Sequence, residues 1–150
     1  MGNDKVFSFK EQLGVGATGE RMFIEFYGGT PSEDRKYDIS HTDGKIELKT
    51  DTYSMEKTGN FFMEKFGSIE DSKIGGPWRA AQDDIDFFVY FYVTDKTFFW
   101  FKSKQLVEFL EKYTATLKAK TVRNKAYTTL GYAVPREALE HILFRKDVLK

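Results

Sequence analysis

The first third of the chain changes from helical to strand-like spacing of its apolar residues. Four apolar side chains recur at helical intervals before a glycine pair that ends the predicted helix: Met22, Phe23, Phe26 and Tyr27. Residues 13–19 carry three glycines and are predicted to form a loop that leads into this helix. Within residues 36–51, two short segments flank the turn-forming pair Asp43-Gly44, which is typical of a β-hairpin.

The rest of the chain predicts aromatic strands followed by helices. Residues 85–93 (IDFFVYFYV) and 96–101 (KTFFWF) indicate two strands, and residues 60–65 indicate another within an irregular stretch. A helix over 103–118, with Ser103 as its N-cap, is expected to bury one apolar stripe: Leu106, Phe109, Leu110, Tyr113 and Leu117. A basic connector, a strand over 127–134 and a final helix opening at Pro135 follow. This mixed order excludes an all-helical bundle and an all-β sandwich.

Composition indicates one α/β domain over residues 1–150. The chain is 41% hydrophobic and 31% charged, which is ordinary for a globular domain and too apolar for a disordered one. Its 23 basic and 23 acidic residues cancel, which argues against a globally basic nucleic-acid coat but not against a local basic groove. The aromatic fraction of 17% is the one unusual feature and indicates a tightly packed core.

The scarcity of cysteine and histidine limits the kinds of metal site and catalytic mechanism that the chain can have. Cysteine is absent, so disulfides, Cys-ligated zinc, iron–sulfur clusters and thiol nucleophiles are excluded. The two histidines argue against a His-rich zinc site or a Ser-His-Asp triad, which leaves carboxylates, lysines and a hard cation. Residues 14–19 match GxGxxG, but a dinucleotide site needs a preceding strand and a parallel βαβ unit, which this order lacks. Neither a signal peptide nor a membrane-spanning run is indicated, so a cytoplasmic protein without a membrane partner is expected.

The segment from Asp38 to Lys49 holds the most informative group of side chains. A four-residue hairpin loop over 41–44 would place Asp38 across from Glu47, whereas a two-residue loop would place it across from Lys49. Either even-length loop puts these three side chains on one face, and a three-residue loop would not. Two carboxylates close together on a partly buried face repel unless a cation joins them or one is protonated. Oxygen ligands suit Mg²⁺, beside which Lys49 could contact a scissile phosphate or orient the attacking water.

The pattern Asp38…Glu47-Leu48-Lys49 resembles the signature of the PD-(D/E)xK nucleases, with Tyr37 in the position of the signature's proline. This superfamily includes Holliday-junction resolvases, restriction enzymes and phage endonucleases. The resemblance implies a restriction-endonuclease-like αβββαβ core, with a mixed central sheet flanked by helices, over roughly residues 12–135. It implies that Asp38 and Glu47, with the main-chain carbonyl of Leu48, bind Mg²⁺ (or Mn²⁺ in its place), and that Lys49 serves catalysis.

The same resemblance implies further site residues. Junction resolvases often add a glutamate from the first helix, which Glu20 fits better than Glu25. Related phage and bacterial nucleases carry a GN-aromatic-x-E segment, to which Gly59-Asn60 and Glu64 are similar. Glu64 then either joins the metal site or belongs to an ordinary edge strand. Asp86 is expected to hydrogen-bond a neighbouring loop rather than to act in catalysis.

Candidate DNA contacts occur in two stretches. Four cations without an intervening acid begin at the end of the helix predicted over 103–118: Lys118, Lys120, Arg123 and Lys125. They either contact phosphates or belong to a solvated loop. Trp78 and Arg79 are candidates for stacking on a base or wedging at a junction, although core packing is the expected role of Trp78.

The sequence thus predicts a Mg²⁺-dependent DNA endonuclease, structure-selective on branched DNA in the manner of the Holliday-junction resolvases and active as a homodimer. One alternative is a non-cleaving nucleic-acid-binding or interaction protein on the same fold. A second alternative is a restriction or DNA-processing nuclease that acts on duplex DNA or its ends. The intact Asp/Glu/Lys set argues against a pure binder, because such a protein has no reason to hold like charges together.

Overall fold

Two β-sheets and three α-helices form the described part of the protein. The structure, a computed structural model, describes the backbone of residues 9–150 and the side chains from residue 14 onward, so the N-terminal segment in which no signal peptide is predicted lies largely outside it. The elements in chain order are α1 (Phe9–Tyr27), β1 (Thr30–Pro31), β2 (Ile39–His41), β3 (Gly44–Asp51), β4 (Asn60–Ser68), β5 (Lys73–Ile74), α2 (Gly76–Gln82), β6 (Phe87–Tyr92), β7 (Thr97–Lys102), α3 (Ser103–Tyr113), β8 (Lys120–Arg123), β9 (Thr128–Pro135) and β10 (Leu143–Val148). Short 3₁₀ helices cover Thr114–Thr116 and Arg136–Ile142. Among the described residues, no helix is long and apolar enough to cross a membrane.

The larger sheet is mixed. Its strands lie in the order β1-β2-β3-β6-β7-β10, and β3 runs parallel to β6 while every other neighbouring pair is antiparallel. The smaller sheet, in the order β5-β4-β9-β8, is antiparallel throughout. The predicted α/β class with a mixed sheet and helices is therefore confirmed. The strand predicted over 127–134 forms as β9, but it belongs to the smaller sheet.

Strand β6 lies inside the larger sheet and accounts for much of the aromatic content. All six of its residues are buried, as expected for a strand that is covered on both faces. Three alternate side chains face a core cluster shared with α2, α3 and the smaller sheet: Phe88, Tyr90 and Tyr92. The other three face a second cluster shared with α1: Phe87, Val89 and Phe91. The site strand β3 therefore borders a rigid, fully buried neighbour.

The glycine-bearing segment 13–19 is part of α1, so the loop predicted there is wrong. Gly19 is buried where α1 packs on β3, and a Cβ at this position would lie 1.9 Å from Thr50 Oγ1. Gly14 and Gly16 have nothing within 4 Å of such a Cβ. Burial of the α1 face, with Phe23 at its centre, outweighs the roughly 1 kcal/mol by which each glycine lowers helix propensity.

The prediction for the helix over 103–118 is wrong at both of its ends. The N-cap is Lys102, while Ser103 is the first helical residue and its buried Oγ has no hydrogen-bond partner among the described residues. The α-helix ends at Tyr113 and continues as a 3₁₀ turn, so Leu117 lies beyond it. The burial of Leu106 and Leu110 against the larger sheet is as predicted, because the apolar stripe determines which face packs.

The final helix predicted from Pro135 is also wrong. A 3₁₀ helix over Arg136–Ile142 is followed by β10, which pairs antiparallel with β7. Strand β7 is almost entirely buried and aromatic, and without β10 it would form an exposed apolar edge. The basic connector is likewise wrong in part, because β8 forms within it and pairs with β9. In contrast, the strands predicted over 60–65, 85–93 and 96–101 are confirmed as β4, β6 and β7.

Candidate active site

The β2–β3 hairpin brings predicted site residues together. Its register pairs Ser40 with Lys45, so Asp38, one residue before β2, lies across from Glu47. This is the register that the longer of the two even loops predicts, but the loop is shorter than predicted, because His41 pairs with Gly44 and only Thr42 and Asp43 form the turn. Because side chains alternate along a strand, Glu47 and Lys49 project from the same face of β3.

The carboxylate of Asp38 is held by the backbone of β3. Its Oδ2 accepts a hydrogen bond from the N–H of Leu48 at 2.8 Å. Burial raises the pKa of Asp38, although the bond from Leu48 and the charge of Arg79 oppose this shift. Since the N–H and C=O of a strand residue point to the same side, the Leu48 carbonyl lies on the edge of β3 that faces Asp38.

Glu47 is the second buried carboxylate of the pair. Its side chain is 16% exposed, and its Oε2 accepts a hydrogen bond of 2.9 Å from the guanidinium of Arg79 on α2. Its Oε1 is buried and accepts no hydrogen bond from a described donor, and the Asp38 carboxylate is close enough to share a hydrogen bond with Glu47 when Glu47 is protonated. Burial and the charge of Asp38 raise the pKa of Glu47 to about 8, against the opposing effect of Arg79. At neutral pH the pair therefore retains a proton unless a further cation takes its place.

Glu20 approaches the pair from α1. Its carboxylate is partly buried, and burial together with the charge of Asp38 raises its pKa. Glu25, the less favoured glutamate of α1 in the prediction, is exposed. Lys49 is partly buried and projects from the same face of β3 as Glu47.

The residues present fit a hard divalent cation. Mg²⁺ usually takes one or two carboxylates and completes its shell with water and substrate phosphate. A cation beside Glu47 Oε1 would satisfy that buried oxygen and offset the repulsion from Asp38. Within the described range, no three His, Cys, Asp or Glu side chains form a metal-holding group. The remaining ligands would therefore be the Leu48 carbonyl, water or substrate.

Asn60 and Glu64 lie on β4, in the smaller sheet. Glu64 pairs with Gly131 of β9, while the two-residue β5 pairs with β4 only at Phe66 and Ser68, so the edge-strand alternative for Glu64 stays open. Glu64 packs against the backbone of Gly75, where a Cβ would lie 2.3 Å from its Oε2. The carbonyl of Asn60 accepts a hydrogen bond of 2.7 Å from the hydroxyl of Tyr92. In the described part of the chain, no hydrogen bond or ion pair joins either residue to the carboxylate pair.

The segment 78–83 contributes a cation to the site. Trp78 is 7% exposed and packs in the core, as expected. Arg79 contacts Glu47 and also lies 3.7 Å from Asp83 Oδ2. Sequence reasoning identified Arg79 only as a DNA contact and missed its bond to Glu47. The i,i+4 spacing of Arg79 and Asp83 indicates their ion pair, but nothing local in the sequence indicates Glu47 as a partner.

The four cations of residues 118–125 are exposed around an edge of the smaller sheet. Lys120 and Arg123 are three positions apart in β8, so their side chains leave opposite faces. Arg123 Nη1 lies 3.3 Å from Glu70 Oε2, while Lys118 and Lys125 flank the strand. The cations therefore surround an edge instead of forming one stripe.

The turn of the hairpin is fixed by structural contacts. Asp86 Oδ2 accepts a hydrogen bond of 2.8 Å from the N–H of Lys45, so its partner is strand β3 just after the turn and not the loop that was expected. His41 Nδ1 accepts one of 3.0 Å from the N–H of Asp43, and its ring lies edge-on to Trp100. These contacts hold the register that places Asp38 and Glu47 together.

The candidate site thus consists of a buried carboxylate pair, a nearby glutamate, a lysine on the same strand face and an arginine from α2. Comparisons with protein-family models, with curated proteins and with solved structures find no match to this chain. A function is therefore inferred from the chemistry of the site itself.

Proposed function

We propose that this chain is a Mg²⁺-dependent DNA endonuclease of the PD-(D/E)xK type, which hydrolyses phosphodiester bonds at the Asp38–Glu47 pair. The observation that carries this proposal is the unpartnered, buried Glu47 Oε1 beside the Asp38 carboxylate, considered among the described residues, with Lys49 on the same face. Holding like charges together in a buried place costs stability, and a purely structural hairpin gains nothing from it.

Each side chain has a task in this reaction. Asp38 and Glu47, with the Leu48 carbonyl, would hold the cation, which when bound supplies Lewis acidity and lowers the pKa of water. Lys49 would orient the attacking water or contact the scissile phosphate, where its positive charge offsets developing negative charge. Glu20, whose pKa is raised by burial and by Asp38, would accept a proton at the edge of the site.

The order of elements supports the restriction-endonuclease-like core. Helix α1, the β2–β3 hairpin, the central strand β6 and helix α3 follow one another as in an αβββαβ arrangement. The placement of β9 in the smaller sheet departs from that arrangement. The support therefore comes from the elements that carry the candidate site, and not from the C-terminal third.

DNA is the proposed substrate, with branched DNA preferred. Exposed cations around the β8 edge offer phosphate contacts, and phosphate neutralisation dominates nucleic-acid affinity. A homodimer would present one site to each of two strands, as cleavage of a four-way junction requires. A duplex-cutting nuclease and a non-cleaving binder remain the two outcomes that experiment must separate from this one.

The test is cleavage of supercoiled, linear, single-stranded and four-way-junction DNA by the wild type and by Glu47→Gln, with Mg²⁺ or Mn²⁺. We expect the wild type to cut the junction, and Glu47→Gln to lose at least about 100-fold in rate. Glu108→Gln, on the exposed face of α3, is the matched carboxylate control and should cut normally.

Other results identify the alternatives. Wild-type binding without cutting would favour the non-cleaving protein, and equal cutting of plain duplex would favour a restriction or processing nuclease. Undiminished cleavage by Glu47→Gln, Asp38→Asn and Lys49→Ala would overturn the proposed site.

A further inference from the structure

Arg79 has two carboxylate partners on opposite sides of its guanidinium. Nη2 lies 2.9 Å from Glu47 Oε2, and Nη1 lies 3.7 Å from Asp83 Oδ2. Its side chain is 31% exposed, so it is neither locked in the core nor free in solvent. Asp83 is the C-cap residue of α2 and follows Arg79 by four positions, so the last turn of the helix holds the two side chains beside each other.

Arg79 binds the Glu47 oxygen next to the one that the proposed cation would use. Glu47 offers two oxygens, one bound by Arg79 and the other without a partner among the described residues. A divalent cation shared between Asp38 and Glu47 would bring a second positive charge against the guanidinium. The two cations repel, so the bond between Arg79 and Glu47 weakens when metal binds.

We infer that Arg79 is a displaceable counter-ion of the site: metal binding moves its guanidinium from Glu47 onto Asp83, and there it contacts a phosphate of the DNA substrate. This inference rests on the proposed function and adds a positioning residue to it. Arg79 then has three successive partners of one chemical class, all oxyanions, and its planar fork suits each of them.

The charge balance of the site supports the exchange. The carboxylates of the site outnumber its cations: Glu20, Asp38, Glu47 and Asp83 against Lys49 and Arg79. Without metal the Asp38–Glu47 pair retains one proton, so the site is negative by one charge. A divalent cation that displaces this proton makes the site neutral. The site therefore repels a DNA phosphate before metal binds and no longer does so afterwards, which orders metal before substrate.

In the first test, Mn²⁺ is titrated into the DNA-free protein and its binding is measured by calorimetry. Arg79→Met removes the competing charge and keeps most of the apolar stem, so its metal affinity should rise about tenfold, the effect of losing one charge-assisted hydrogen bond. Arg145→Met is the matched control, because Arg145 Nε bonds the carboxylate of Asp147 at 2.7 Å within β10, away from the candidate site. Its metal affinity should equal that of the wild type.

The second test is a double-mutant cycle with Asp83→Asn. Loss of the Asp83 carboxylate, the second partner of Arg79, should weaken metal binding several-fold in the wild-type background and have no effect in the Arg79→Met background. An equal effect of Asp83→Asn in both backgrounds would overturn the role of Asp83 as the acceptor of the guanidinium. If Arg79→Met does not fold, Arg79→Gln, which also removes the charge, takes its place in the titration and in the cycle.

The third test separates metal from substrate effects. At saturating Mg²⁺, Arg79→Met should raise KM for DNA about tenfold, and Arg79→Lys should restore part of it because the charge remains. Tighter Mn²⁺ binding with unchanged KM would overturn the phosphate contact. Equal Mn²⁺ affinity of Arg79→Met and wild type would overturn the counter-ion role alone, whereas no Mn²⁺ binding by either protein would overturn the proposed function as well.

Discussion

The hydroxyl of Tyr90 donates a hydrogen bond of 2.5 Å to Asp51 Oδ2 and accepts one of 3.1 Å from the N–H of Phe62. Asp51 is four residues beyond Glu47 and on the same face of β3, so this bond ties the site strand to β6 and to the smaller sheet. Burial and the charge of Asp51 raise the pKa of Tyr90 well above its usual value, which keeps the phenol protonated as a donor.

Tyr90→Phe should therefore lower the free energy of unfolding by about 1–3 kcal/mol, because it leaves Asp51 and the Phe62 N–H without this partner in a buried place. Urea denaturation at neutral pH measures the change. Tyr53→Phe, at a side chain that is 46% exposed, is the control and should stay within about 0.5 kcal/mol of wild type. Equal stability of the two variants would show that the Tyr90 bond does not stabilise the fold.

The pH dependence of stability should report Glu47. Its folded pKa of about 8 lies above the 4.5 of an unfolded glutamate, so the folded state holds the proton more tightly. The stabilisation of the fold by this tighter proton binding is complete below pH 4.5 and is lost as pH rises towards 8. Between pH 5 and pH 8.5, with a chelator present, the free energy of unfolding of the wild type should fall by at least about 1 kcal/mol more than that of Glu47→Gln.

Adding Mg²⁺ should reverse this loss, because the cation replaces the proton between the carboxylates. The stabilisation by Mg²⁺ should be larger at pH 8.5 than at pH 5.5 in thermal unfolding, and absent in Glu47→Gln. Parallel pH profiles for wild type and Glu47→Gln in chelator would contradict the raised pKa.

Packing of α1 on β3 should depend on the absence of a Cβ at Gly19. Gly19→Ala would place a methyl group 1.9 Å from Thr50 Oγ1, and we expect a loss of about 1–3 kcal/mol in the free energy of unfolding. Gly16→Ala, on the same helix with nothing within 4 Å, should instead gain up to about 1 kcal/mol. Thr50→Ala should recover part of the loss in Gly19→Ala, and a lack of coupling between the two would argue against this contact.

The cations at the β8 edge should determine the salt dependence of DNA binding. Lys120→Ala combined with Arg123→Ala should reduce the slope of log K against log salt by about 2 units if both contact phosphates. Fluorescence anisotropy on a four-way junction between low and moderate salt gives the slope. A reduction of about 1 unit would assign the phosphate contact to Lys120, because Arg123 already pairs with Glu70, and an unchanged slope would place DNA elsewhere.

The hairpin and its carboxylates could be predicted from the sequence because their cause is local. The short turn within residues 41–44 and the alternation along Glu47 and Lys49 fix the register within about a dozen residues, although the turn residues are Thr42-Asp43 and not the predicted Asp43-Gly44. The aromatic strands could be predicted equally well, because a short continuous run of apolar residues is typical of a strand that is covered on both faces, as β6 is.

Long-range packing determined what the sequence did not reveal. Gly19 predicts a loop when only its neighbours in sequence are considered, but its place in α1 is explained by close packing against Thr50. The segment after Pro135 predicts a helix, but its end forms β10 because it pairs with β7. The bond from Arg79 to Glu47 joins residues 32 positions apart, and no local pattern encodes it. The missed elements are those whose stability comes from a distant partner.

The parallel pairing of β3 with β6 has a kinetic consequence. Glu47 is in register with Phe88, and between them the chain makes β4, β5 and α2 before it returns. The hairpin needs only a short loop and can form early, whereas this pairing must first close a loop of about forty residues, which is entropically slower. Arg79 arrives on the same late segment. The two carboxylates should thus meet early during folding and remain without their arginine until the crossover is complete, so a divalent cation present at that stage would be expected to speed refolding.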